Sequence, residues 1–163
     1  MINLLDYSKK LFASLLVVIA LPTLALAGGH EAGGLSTGDS VGITFWIISI
    51  AMVASTVFFI VERDRVSAKW KTSLTVAGLI TLIAAVHYFY MREVWVSTGD
   101  SPTVFRYIDW LLTVPLQMIE FYLILAAVTV VSAGVFWRLL VGTLVMLIGG
   151  FAGEAGMVSV MTG

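Results

Sequence analysis

Beyond residue 40 the chain divides into four long apolar stretches, residues 41–61, 72–91, 103–131 and 133–151, separated by short polar connections. A bilayer's hydrocarbon core is about 30 Å thick, and a helix rising about 1.5 Å per residue crosses it with about 20 apolar residues. Each stretch is long enough. In lipid a spanning segment must satisfy its own backbone N–H and C=O groups, which a helix does internally. The pattern predicts an all-α membrane protein, a transmembrane helix bundle with four spans, and it shows no internal repeat or pair of matching interrupted helices.

The first 27 residues follow a different pattern. Lys9 and Lys10 precede an apolar run over residues 11–21, and Ala25-Leu26-Ala27 has the small-x-small form of a cleavage site. Pro22 and Gly28-Gly29 interrupt any continuous helix there. Residues 1–27 are expected to be a secretory signal peptide. Residues 28–40, GGHEAGGLSTGDS, then form a glycine-rich polar tail on the extracellular or periplasmic side, and 41–163 the transmembrane domain.

Composition supports the bilayer. The 163 residues are 60% hydrophobic and 12% charged, which leaves too little polar surface to cover a soluble globule of this size. A net charge of -1, with basic residues mostly outside the apolar stretches or at their ends, gives no footprint for nucleic acid. There is no cysteine, hence no disulfide framework and no thiolate metal site, and no metal is expected. The connection over residues 62–71 holds Arg63, Arg65, Lys69 and Lys71, whereas residues 92–102 hold one Arg against Glu93 and Asp100. The positive-inside rule makes the first connection cytoplasmic and the N-terminus external, as the signal peptide also requires, and Arg138 agrees. Trp70 and Trp95 fall at span ends, where indoles anchor helices at the interface.

The third span is the chemically informative one. Within SPTVFRYIDWLLTVPLQMIEFYLIL, residues 101–125, stand Arg106, Asp109, Gln117 and Glu120, and ionisable groups at membrane depth are costly. At 100° per residue Arg106, Asp109 and Glu120 share one helix face with Thr113 and Leu116, with Gln117 at its edge. Asp109 and Glu120 are eleven residues apart, roughly 16 Å along the axis. Two carboxylates stacked on one face, one nearer each side of the membrane, suit a stepwise proton path, since each can hold or release a proton. A cation at Arg106, one turn outward, favours the charged form of a nearby carboxylate. The competing structural account, in which these groups only bond across helices, fits Thr113 or Ser132 better than three ionisable side chains. Pro115 is expected to kink the helix or simply to be tolerated. His87 on the second span lies at about the level of Asp109 if the helices are antiparallel neighbours, either sharing its proton with that carboxylate or as a hydrogen-bonded core histidine. Gly149, Gly150, Gly153 and Gly156 are expected to permit close packing and a turn.

Three runs carry a resemblance: DSPTVFRYIDWLLTVP over residues 100–115, FFIVERDRVSAKWKTSLTV over 58–76 and FYLILAA over 121–127. From about Val41 to Gly156 the chain resembles the proteorhodopsin family of microbial (type 1) rhodopsins. The resemblance implies a seven-helix protein of the bacterial inner membrane. It carries all-trans retinal on a lysine of the seventh helix through a protonated Schiff base, and acts as a light-driven outward proton pump and not as an enzyme. It implies that Asp109 is the counterion and proton acceptor, Glu120 the proton donor, Arg106 part of the counterion complex, and His87 the tuning partner of Asp109. Trp110, Thr113 and Gln117 correspond to retinal-pocket positions. Gln117 is at the spectral-tuning site, where Gln accompanies blue and Leu green absorption. Trp46 corresponds to a residue that meets the histidine, His87 here, across the interface of a ring-shaped homo-oligomer, pentamer or hexamer.

Four of the seven helices are present, and the chain's lysines are Lys9, Lys10, Lys69 and Lys71, none placed to hold retinal. The expectation is a partial sequence, with function belonging to the complete protein. Two rivals remain: a sensory rhodopsin photoreceptor on the same fold, and a retinal-free four-helix membrane subunit whose charged groups pair internally or with a partner.

Overall fold

The protein's structure is a computed structural model that describes Lys9 and residues 38–157. The signal-peptide expectation and most of the tail, residues 28–37, lie outside the described residues. Among the described residues four helices follow one another: α1 Ser40–Glu62, α2 Ala68–Thr98, α3 Thr103–Val128 and α4 Ala133–Glu154. All four are long and apolar enough to cross a membrane. The four predicted spans are thus present, and the chain is an integral membrane protein by their length and composition.

The helices outrun the apolar stretches at several ends. α2 begins four residues before the hydropathy boundary at residue 72 and ends seven after residue 91. It therefore absorbs Lys69, Trp70 and Lys71 at one end and Arg92 and Trp95 at the other, leaving only residues 63–67 and 99–102 as the first two connections. Hydropathy marks where lipid begins, while a helix continues into the interface until its backbone is capped. Gly99 supplies the stop for α2: its φ of 71° is left-handed, and its N–H donates to the Trp95 carbonyl at 2.8 Å. At the start of α1, Asp39 caps the helix by accepting from the Gly42 N–H at 2.8 Å. α3 runs without interruption through Pro115, which removes one backbone donor and leaves the Leu111 carbonyl without its usual helical partner.

Each helix packs on the next: α1 on α2, α2 on α3 and α3 on α4, with no other helix pair in contact among the described residues. The bundle is an open row centred on α2, of whose apolar window 39% is buried, against 6% for α3 and for α4. In lipid such packing relies on close fit and interhelical hydrogen bonds more than on hydrophobicity. α2 accordingly presents small residues to its neighbours: Ala77, Gly78, Ala84 and Ala85 are buried. Across α1 and α2 the hydroxyls of Thr56 and Thr81 meet at 2.8 Å, one donating to the other, while the hydroxyl that accepts turns its own proton back along its helix, to Met52 for Thr56 or to Ala77 and Gly78 for Thr81.

The two ends of the row are fixed differently. At the basic end Arg63 Nε donates to Thr75 Oγ1 at 2.8 Å, Arg65 pairs with Glu62 at 3.3 Å, and Lys69 Nζ reaches the Ala127 carbonyl in the last turn of α3 at 3.3 Å. A cation at a helix C-terminus is favoured by the helix dipole, so Lys69 ties the start of α2 to the end of α3. At the opposite end Trp95 Nε1 donates to Asp39 Oδ1 at 3.1 Å, binding the α1 cap to the last turn of α2.

Candidate functional site

Asp109 sits in the middle of the row, on the α3 face turned toward α2. It is 4% exposed, and His87 of α2 lies beside it, Nδ1 to Oδ1 3.4 Å. The same Nδ1 is 3.0 Å from the Ile83 carbonyl one turn back. A carbonyl only accepts, so the ring nitrogen carries the proton in that hydrogen bond and its N–H edge also faces the carboxylate. The Asp109 contact is close enough for ion pairing but supplies no hydrogen bond: Oδ1 is buried without a hydrogen-bond partner. Buried polar atoms are ordinarily satisfied, so this oxygen retains unused capacity for a donor. Thr113, also buried, donates its hydroxyl to the Asp109 main-chain oxygen at 2.9 Å and so braces the helix, leaving the carboxylate itself open.

Glu120 lies three turns further along α3 on nearly the same azimuth, roughly 16 Å from Asp109 along the axis. Its side chain is half-buried and has no ion-pair or hydrogen-bond partner among the described residues. Arg106, one turn from Asp109 in the other direction, is ion-paired with Glu154 of α4, and among the described residues no ion pair joins it to Asp109. Tyr107 and Trp110 flank its guanidinium, the ring centroids 5.9 and 5.4 Å away. Trp110 and Gln117 lie about 100° and 80° around α3 from Asp109, and both are exposed. The structure therefore brings His87 to Asp109, keeps Glu120 separate, and turns Arg106 toward α4. Trp46 of α1 packs edge-on against Phe89, centroids 5.5 Å apart, with Arg92 over its ring at 5.8 Å.

These residues fit one side of a retinal site. A buried carboxylate with an unpartnered oxygen suits a cationic N–H donor, and a neighbouring aromatic, a threonine and an amide on the same helix can line a chromophore. The lysines at 69 and 71 lie in the first turn of α2, at the opposite end from Trp95, and neither is level with Asp109. The attachment residue is not supplied by the described helices.

Two features escaped the sequence pattern. Glu154 lies three residues beyond the fourth apolar stretch, where nothing local marks it. Only the fold shows that Thr103 and Arg106 of α3 converge on it. A Cβ at Gly150, one turn before the acid, would stand 3.0 Å from the Tyr107 hydroxyl oxygen. The glycine here permits the close approach expected of the cluster at 149–156. The Asp39–Trp95 bond joins residues 56 positions apart and leaves no local trace.

Comparison with known proteins places this geometry. Residues 39–162 match the family model described as bacteriorhodopsin-like protein. The chain is 64% identical over 152 residues to the blue-light absorbing proteorhodopsin of Gamma-proteobacterium Hot 75m4, covering 93% of this chain and 59% of that protein. It is 63% identical over 150 residues to the green-light absorbing proteorhodopsin of Gamma-proteobacterium EBAC31A08, covering 92% and 59%. It thus spans about three-fifths of the length of these relatives. The crystal structure of the blue light-absorbing proteorhodopsin from Med12 superimposes with a TM-score of 0.69 at 63% identity, over 76% of this chain and 59% of that one. The α2–α3 pair with its buried Asp109, the four spans and these matches agree, and the chain belongs to the bacteriorhodopsin-like family of microbial rhodopsins.

Proposed function

We propose that this chain forms the acceptor and donor side of a light-driven outward proton pump, active in a complete protein of the bacterial inner membrane with its N-terminus outside. The observation that carries the reading is the buried Asp109–His87 contact with Glu120 placed three turns away on the same face of α3. Asp109 is the proton acceptor, its open Oδ1 being the atom at which a proton is received. His87 holds its imidazole against the carboxylate and, by its own charge state, adjusts how firmly Asp109 keeps that proton. Glu120 is the donor on the side of the basic connection, where Arg63, Arg65, Lys69 and Lys71 stand. Bound retinal supplies light absorption and a mobile proton near Asp109. Trp110, Thr113 and Gln117 would line its site, and the Gln117 amide dipole there would favour blue absorption. The complete protein assembles as a homo-oligomeric ring, with Trp46 and His87 near its interface.

A sensory photoreceptor is the second reading. Glu120 favours the pump, because a carboxylic acid there can return a proton quickly within each cycle. The test is light-dependent acidification by cells making a full-length protein that carries this sequence, supplied with all-trans retinal. The pump acidifies its medium, Asp109→Asn abolishes the signal, and Glu120→Gln slows it about tenfold or more by delaying reprotonation. A slow photocycle with no acidification would establish the sensor, and undiminished pumping by the Asp109 variant would remove its acceptor role.

A further inference from the structure

A second ionisable cluster lies at the outer ends of α3 and α4, apart from the Asp109–His87 contact. Glu154 closes α4, and its Oε1 accepts from the Arg106 guanidinium and from the Thr103 hydroxyl at 3.3 Å. Positions 103 and 106 are three apart, so both donors project from one face of α3. The carboxylate and guanidinium are half-buried, 39% and 31% exposed. Rings at 107 and 110 confine the guanidinium, and Gly150 leaves room for Tyr107 to reach α4.

Arg106 is one helical turn from Asp109, a separation of about 5–6 Å between Cβ atoms. A long, flexible side chain can bridge that distance, yet the guanidinium is committed to α4. Resting on the reading of Asp109 as proton acceptor, we propose that Glu154 is a positioning residue: it tethers Arg106 away from Asp109, so that among the described residues His87, and not Arg106, is the basic group beside the acceptor. The charged and titratable groups concerned are His87 of α2 facing Asp109, and Arg106 and Tyr107 of α3 facing Glu154. When the tether is cut, Arg106 swings one turn and places a cation against the acceptor. A cation there stabilises the carboxylate and makes it a weaker base.

The test uses the full-length protein in lipid. In the retinal-free form, solid-state NMR measures the guanidinium-nitrogen to carboxyl-carbon contacts. Wild type shows Arg106 against Glu154, and Glu154→Gln shows Arg106 against Asp109. With retinal bound, the colour change that accompanies protonation of Asp109 is titrated. Glu154→Gln binds that proton about tenfold more weakly, and Glu154→Asp restores wild-type behaviour. A wild-type protein without the Arg106–Glu154 contact, or a Glu154→Gln protein whose titration coincides with wild type, overturns the tether. Failure of the pump reading is separate, because it shows as absent acidification by the wild-type protein whatever the NMR contacts.

Discussion

His87 Nδ1 stands between two oxygens, the Ile83 carbonyl of its own helix at 3.0 Å and Asp109 Oδ1 of the neighbouring helix at 3.4 Å. The first contact fixes the ring and the tautomer; the second makes the imidazole sensitive to the carboxylate. The 15N signals of His87 in the full-length protein should therefore move when Asp109 is replaced by Asn. Glu120→Gln, roughly 16 Å away along α3, should leave them in place. Equal responses to both changes would mean that the ring reports general rearrangement and not its neighbour's charge.

The hydroxyls of Thr56 and Thr81, 2.8 Å apart, give α1 and α2 their only side-chain hydrogen bond across the middle of the pair among the described residues. In lipid such bonds are worth about 0.5–1.5 kcal/mol by double-mutant cycles. Thr56→Val and Thr81→Val keep side-chain volume while removing the pair. A coupling energy of about that size in unfolding from detergent or bicelles is expected, with the double variant less destabilised than the sum of the singles. Strict additivity would show that each hydroxyl serves its own helix alone, through Met52 or through Ala77 and Gly78.

Much of this was legible in one dimension. Span number follows from apolar length, because lipid allows no other way to satisfy a backbone. The shared azimuth of Asp109, Thr113 and Glu120 follows from 100° per residue, and the level of His87 from antiparallel neighbours joined by a short connection. Helix ends were less legible: Lys69, Trp70, Arg92 and Trp95 are polar or interfacial in composition but helical, since capping at Gly99 and the Lys69–Ala127 contact, not hydropathy, decides where α2 starts and stops. The partner of Arg106 was not legible. Asp109 is its neighbour in sequence, whereas Glu154 is 48 residues away and meets it only because α4 packs on α3.

Asp39 gives a pH prediction with a defined sign. Its carboxylate accepts from the Gly42 N–H and from Trp95 Nε1, and these bonds to the charged form hold its proton affinity below that of an ordinary aspartate. With the folded value lower than the unfolded value of about 3.9, the unfolded chain binds more protons between the two. The stabilisation is complete above the unfolded value and disappears as pH falls through the folded one. Asp39→Asn keeps an oxygen to cap α1 but cannot titrate. Thermal unfolding followed from pH 6 down to pH 3 should therefore show wild type losing its advantage over the Asn variant as the solution is acidified. Gly42→Ala provides the steric counterpart, because a Cβ there would fall onto the Asp39 carboxylate and expel it from the cap. That variant should resemble Asp39→Ala, with a melting temperature lowered by a few degrees at neutral pH. An Asp39→Asn protein that tracks wild type at every pH would show that Trp95 and Gly42 bind this side chain without regard to its charge.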